Sequence, residues 1–140
     1  MNRCLILPDR AVLLGTVTAL LVTACAVFGS VRGTWTGDCD FSDGDYGGPI
    51  FLDIVIEQDL GRRLRGVATV TIPDDGIFDV DLDGERAGGG IILEMTIPSG
   101  TGELALRFEG SRDADDIEGS CQLWVPGATA PIVGRGELSR

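Results

Sequence analysis

The chain has 140 residues, 44% of them apolar and 24% charged, and 22 acidic side chains against 11 basic ones give a formal charge of -11. One compact domain is what this length accommodates. Every basic residue is an arginine, and the lack of histidine and lysine excludes His-based nucleophile systems, imidazole metal sites, Schiff bases and a phosphate-loop lysine. So negative a charge argues against nucleic acid, whose binding rests on cationic contacts to phosphate. No cofactor is expected, and the protein reads as a non-enzyme.

In chain order, Met1–Arg10 carries Arg3 and Arg10, and Ala11–Phe28 then runs 18 residues without a charge. A basic start before an apolar run is the pattern of a secretory signal. Within it, Val22-Thr23-Ala24-Cys25 resembles the bacterial lipobox, in which an aliphatic residue, a small residue and Ala or Gly precede a cysteine that is lipidated and becomes residue one. That resemblance implies a signal peptide over 1–24, lipidation at Cys25, a short tether over 25–30 and a folded domain over 31–140. The membrane, reached through the lipid anchor, is then the first expected partner.

Two other readings of this segment stay open. Ala24-Cys25-Ala26 is also a small-x-small site, and cleavage after Ala26 would release a secreted soluble protein. Alternatively, 18 uncharged residues reach roughly 27 Å as a helix, just short of a bilayer core of about 30 Å. All three place the rest of the chain outside the cytoplasm. There Cys39 and Cys121 are expected to bridge, against the alternative of two buried free thiols. The bridge would close about 83 residues, near 4.5 kcal/mol in the chain-entropy model.

From Val31 onward the apolar residues alternate, which is the period of a strand and not of a helix. Val31–Gly37 opens the series, and Ile50, Leu52, Ile54 and Ile56 share one face of the next strand. Leu64, Ala68, Val70 and Ile72 run to a Pro73-Asp74-Asp75-Gly76 turn, and Phe78, Val80 and Leu82 run to a hairpin turn expected at Asp83-Gly84. Ile91, Leu93, Met95 and Ile97 stop at Pro98-Ser99-Gly100. Leu104, Leu106 and Phe108 end near Gly110, then Ile117–Val125 and Ile132–Leu138 complete eight strands. The expected fold is all-β: an antiparallel up-and-down meander closed into a small barrel that hides its edges, with a two-sheet β-sandwich as the alternative. In a barrel the first and seventh strands are separated by the eighth, and two strand spacings come to roughly 9.6 Å, beyond disulfide reach. The bridge is therefore expected to need either Cys39 outside its strand or a flattened sheet.

Gly33-Thr34-Trp35 on the first strand, the eight-strand meander and an arginine near the last strand resemble the calycin group of lipocalins, avidins and fatty-acid-binding proteins. The resemblance implies that Trp35 plugs one end of the barrel and that Arg135 or Arg140 packs over it.

The inward-facing set is almost wholly aliphatic, so the interior either packs solid or holds an apolar ligand, and it offers nothing for acid-base chemistry. Candidate ligand contacts are Trp35, Phe108, Ile54, Leu93 and Leu106. Gly33, Gly37, Gly66, Ala68, Gly119, Gly134 and Gly136 share the inward parity and either leave volume or mark bends where the sheet curls. Asp79-Val80-Asp81-Leu82-Asp83-Gly84 resembles the opening of a calcium loop, but Gly90 stands where that loop needs its glutamate, and a strand with outward aspartates explains the same residues.

The loops at one end of the meander hold Asp38, Asp40, Asp43, Asp45, Asp74 and Asp75, weak candidates for calcium and otherwise solvated. The other end holds Arg62, Arg63, Arg86 and Arg112, with Arg140, and is expected to face an anionic membrane surface. Two functions follow as expectations. The first is an extracytoplasmic, envelope-anchored lipoprotein with a small apolar ligand inside its barrel. The second is a protein-protein or envelope-structural module using an outer face where Phe51, Trp124 and Tyr46 are exposed.

Overall fold

The computed structural model describes residues 29–44, 46–100 and 102–140. The signal segment, Cys25, most of the tether and Asp45 lie outside the described residues.

Eight strands follow one another: β1 (Gly33–Asp40), β2 (Pro49–Leu60), β3 (Arg63–Ile72), β4 (Gly76–Ala87), β5 (Gly90–Ser99), β6 (Gly102–Asp113), β7 (Asp116–Trp124) and β8 (Ile132–Ser139). Each pairs antiparallel with the next, and β8 returns to β1, so the sheet closes into a barrel and not a sandwich. The expected alternation holds residue by residue. Ile50, Leu52, Ile54 and Ile56 are buried, whereas Phe51, Asp53, Val55 and Glu57 are exposed.

Several boundaries differ from expectation. Asp83-Gly84 is not a turn, because β4 continues to Ala87 and the hairpin turns at Gly88-Gly89, both with positive φ (54° and 89°). Two successive residues in that region suit a two-residue hairpin loop. Gly84 serves a different need: a Cβ there would lie 2.5 Å from the Ile92 carbonyl oxygen and 2.9 Å from Leu93 Cδ2, so only glycine lets β5 approach. β6 likewise passes its buried Gly110 and ends at Asp113, and β1 extends beyond Gly37 to Asp40.

The interior is filled. Trp35, Phe41, Phe108, Ile54, Leu93 and Leu106 are at most 1% exposed, and the described core contains no buried polar or charged residue. The inward glycines do not leave this space empty. At Gly37, Gly66 and Gly119 a Cβ would fall within 2.0 Å of a carbonyl oxygen on a neighbouring strand; at Gly136 it would meet the Phe108 ring at 2.5 Å. These positions therefore mark close backbone approaches, where the sheet curls tightly.

Curling also corrects the expectation for the cysteines. Cys39 remains in β1, opposite Gly136 of β8, and Cys121 lies in β7, opposite Gly134 of β8. They form a disulfide with a Cα–Cα distance of 5.9 Å. The flat-sheet distance does not apply because β8 contributes no side chain at either glycine, and the two cysteines close on one another beneath it. A Cβ on Gly136 would stand 2.7 Å from the Cys121 sulfur. The bridge thus passes beneath β8 inside the barrel.

Candidate functional site

Both ends of the barrel are stoppered. At the end where the chain leads into β1, Trp35 is fully buried and its Nε1 donates to the Val31 carbonyl at 2.8 Å. The guanidinium groups of Arg140 and Arg112 lie 4.7 and 5.5 Å from its ring centroid. Arg140 is the cover, and Arg135 is not: it lies opposite Asp40, toward the other end of the strand. At that far end Phe41 is fully buried and meets Tyr46 edge-on at 5.9 Å. Tyr46 is consequently half-buried against the core and not an exposed aromatic, whereas Phe51 and Trp124 are 46% and 40% exposed.

The arginines at the Trp35 end divide into two groups. Arg62 and Arg63 are exposed. Arg86 instead holds Asp59 through both Nε (3.0 Å) and a terminal nitrogen, while Asp59 also accepts from the Val31 backbone N–H at 3.0 Å. Arg112 Nε donates to the Ala114 carbonyl at 2.7 Å.

The candidate metal ligands are not gathered into a site. Among the described residues no three His, Cys, Asp or Glu side chains come together in an arrangement that could hold a metal ion. Asp38 sits opposite Glu137 on β8. Burial, then Asp40, then Glu137, raises its pKa above the ordinary 3.8. Asp40 is pulled the other way, below that value, by hydrogen bonds from the side chain and backbone of Ser42. The calcium-like run Asp79–Gly84 is strand throughout, with Asp79, Asp81 and Asp83 exposed.

A different site appears where the barrel wall is least complete. β4 and β5 pair only from Asp83↔Glu94 to Ala87↔Gly90. Gly76–Leu82 therefore pairs with a strand on the β3 side alone, and Met95–Pro98 on the β6 side alone. Two features mark the split. The last rung sets Asp83 directly opposite Glu94, although a like-charge rung alone does not end a ladder here, since β7 and β8 stay paired through Glu118 and Glu137. Beyond it, Pro98 has no N–H to donate to a ladder. Each carboxylate has a cation beside it, Arg65 at 3.6 Å from Asp83 and Arg107 at 2.8 Å from Glu94.

Over this seam lies an open groove of about 880 Å³, and Val80, Met95 and Leu106 of the core are among its lining residues. Its walls carry Asp79, Asp81, Asp83, Glu94 and Glu103, with Arg107 the single cation among the lining residues. Trp124 stands on β7 opposite Ala105, and Ala105 in turn opposite Thr96. Two small side chains beside a large ring leave the shelf that deepens the groove. Sequence reasoning found Trp124 by parity but missed the seam, whose one local signal was Pro98.

No protein-family model matches the chain, and no curated protein shows significant similarity to it.

Proposed function

We propose that this protein is a non-enzymatic, extracytoplasmic binding module that takes a protein partner on its outer surface, in the groove over β4–β7. The observation that carries this reading is the contrast between a filled interior, closed at one end by Trp35 and at the other by Phe41, and an open groove at an incompletely paired seam. Proteins leave sheet edges open at a cost in aggregation risk, and the usual remedy is to cover them.

The bridged Cys39–Cys121 pair supports an oxidising, extracytoplasmic compartment. The Val22–Cys25 motif adds lipid attachment at Cys25 to the bacterial envelope. The likeness to calycins remains a proposal that rests on Trp35, its arginine cover and the meander. An apolar ligand inside the barrel, the alternative, would have to displace Trp35, Phe108, Ile54, Leu93 and Leu106 from near-complete burial. The packed interior favours the outer face.

The test is site-specific photo-crosslinking in the native host, with the probe at Ala105 in the groove and, as control, at Leu60 on the opposite end of the barrel. A discrete protein adduct from Ala105 alone supports the reading. Equal labelling from both positions, or adducts to lipid only, overturns it. Radiolabelled fatty acid incorporated by the wild type and lost in Cys25→Ser supports the anchor; incorporation unchanged by that substitution removes it.

A further inference from the structure

We propose that the free edge of β4 between Gly76 and Leu82 is a template for β-strand addition, and that its occupant is a basic, extended segment of the partner protein. The inference rests on the outer-face reading above and names the chemistry of what that face takes.

Gly76–Leu82 spans roughly 23 Å as a strand, and its ladder groups on the side away from β3 meet no strand of the barrel. The stretch contains no proline, so nothing in it interrupts donation to an added strand. The β5 edge is poorer, because Pro98 falls within it. An edge of this kind binds extended peptides through main-chain hydrogen bonds, with alternate side chains setting specificity.

Charge selects the occupant. Residues alternate along an added strand, so every second side chain would project beside Asp79 and Asp81, both exposed, with Glu94 and Glu103 on the facing wall. Arginine or lysine at those positions meets an acidic groove whose one arginine, Arg107, already engages Glu94 and Glu109. Trp124, 40% exposed at the rim, adds a ring face on which a guanidinium can stack. The inward positions of the same strand would lie over Val80 and Met95, which suit aliphatic residues. The same acids reject a second copy of this chain. Pairing two β4 edges would set Asp79 and Asp81 against their own counterparts, which is repulsive.

The experiment uses the full chain in detergent micelles and three synthetic peptides. One alternates arginine with valine, one alternates glutamate with valine, and the third is the arginine-valine peptide with alternate backbone nitrogens methylated. The arginine-valine peptide is expected to bind and to slow amide exchange within Gly76–Leu82 by at least about tenfold. Methylation, the glutamate replacement and Asp81→Arg are each expected to weaken binding by about tenfold or more, a difference of about 1.4 kcal/mol, and added salt to weaken it further. Should Asp81→Arg disturb folding, Glu103→Arg tests the same charge from the other wall.

Equal affinity for the methylated peptide overturns strand addition and leaves only a charged surface. Protection of β4 that grows with protein concentration in the absence of peptide overturns it in favour of self-pairing. If no peptide binds while Ala105 still crosslinks a protein, this inference falls and the outer-face reading stands. If Ala105 crosslinks nothing, the outer-face reading falls as well.

Discussion

The Arg140 guanidinium, on the last residue of the chain, lies 4.7 Å from the ring centroid of Trp35, near the start of the first strand. The contact ties the two ends of the domain across the β1–β8 closure. Arg140 also donates to the Arg32 carbonyl, and its backbone N–H donates to the Asp115 carbonyl at 2.9 Å. A cation over an indole at a partly exposed site contributes on the order of 0.5–1 kcal/mol. Arg140→Ala is expected to lower stability by about 1 kcal/mol in urea unfolding, with Arg140→Lys recovering part of it. No change in the midpoint would mean that Trp35 and Arg112 seal this end without Arg140.

The Cys39–Cys121 bridge closes most of the domain. Chain entropy sets its contribution near 4.5 kcal/mol as an upper figure, and losses of about 2–5 kcal/mol are usual when a small secreted domain loses its disulfide. Both sulfurs are fully buried, so reduction is expected only after unfolding. The native protein should resist mild reductant yet melt well below its oxidised midpoint once reduced under denaturant. Rapid thiol titration of the native state would contradict this placement.

Asp59 and Arg86 behave differently from the surface ion pairs. The Asp59 side chain is only 6% exposed and holds both the Arg86 fork and the Val31 N–H, so it fixes the start of β1 against β2 and β4. Removing one member of a fully buried pair strands the other, at about 3–5 kcal/mol, and this pair is part-buried. Arg86→Met is expected to fall toward the lower end of that range, since Arg86 keeps 22% exposure. The double variant Asp59→Asn with Arg86→Met should be less destabilised than the sum of its parts. A strictly additive cycle would show that the two do not act as a pair.

Two aspartates on β1 carry opposite pH signatures. Asp38 has its pKa raised by burial, with Asp40 and Glu137 adding to the effect. Its protonated carboxyl therefore favours folding at low pH, and that contribution is lost as pH rises from 3.8 through the raised value. At pH 7 the charge opposes folding, so Asp38→Asn should raise Tm there, and the gain should vanish below about the ordinary aspartate value. Asp40 has its pKa lowered by Ser42. Its contribution is present above the ordinary value and is lost as pH falls through the lowered one, so Asp40→Asn should lower Tm at pH 7. Shifts of the same sign in both variants would rule out this assignment.

What the sequence by itself determined was local and periodic. Alternation along Ile50–Ile56 or Leu104–Phe108 placed each side chain in or out, and turn residues counted eight strands, because side-chain direction in a strand depends only on parity. Parity also found the exposed Phe51 and Trp124 and the inward-facing set, but not whether that set packs solid. The tertiary structure decided everything that depends on how tightly the sheet curls. Cys39 and Cys121 meet across β8 because Gly134 and Gly136 put no side chain between them, a closeness that flat-sheet spacing does not contain. Asp83-Gly84 reads locally as a turn, yet Gly84 is there so that β5 can approach. Asp83 opposes Glu94 only in the folded register, and from that non-local rung the seam opens that carries the candidate site. Register and curvature are set by contacts between residues far apart in sequence, and no window along the chain contains both partners.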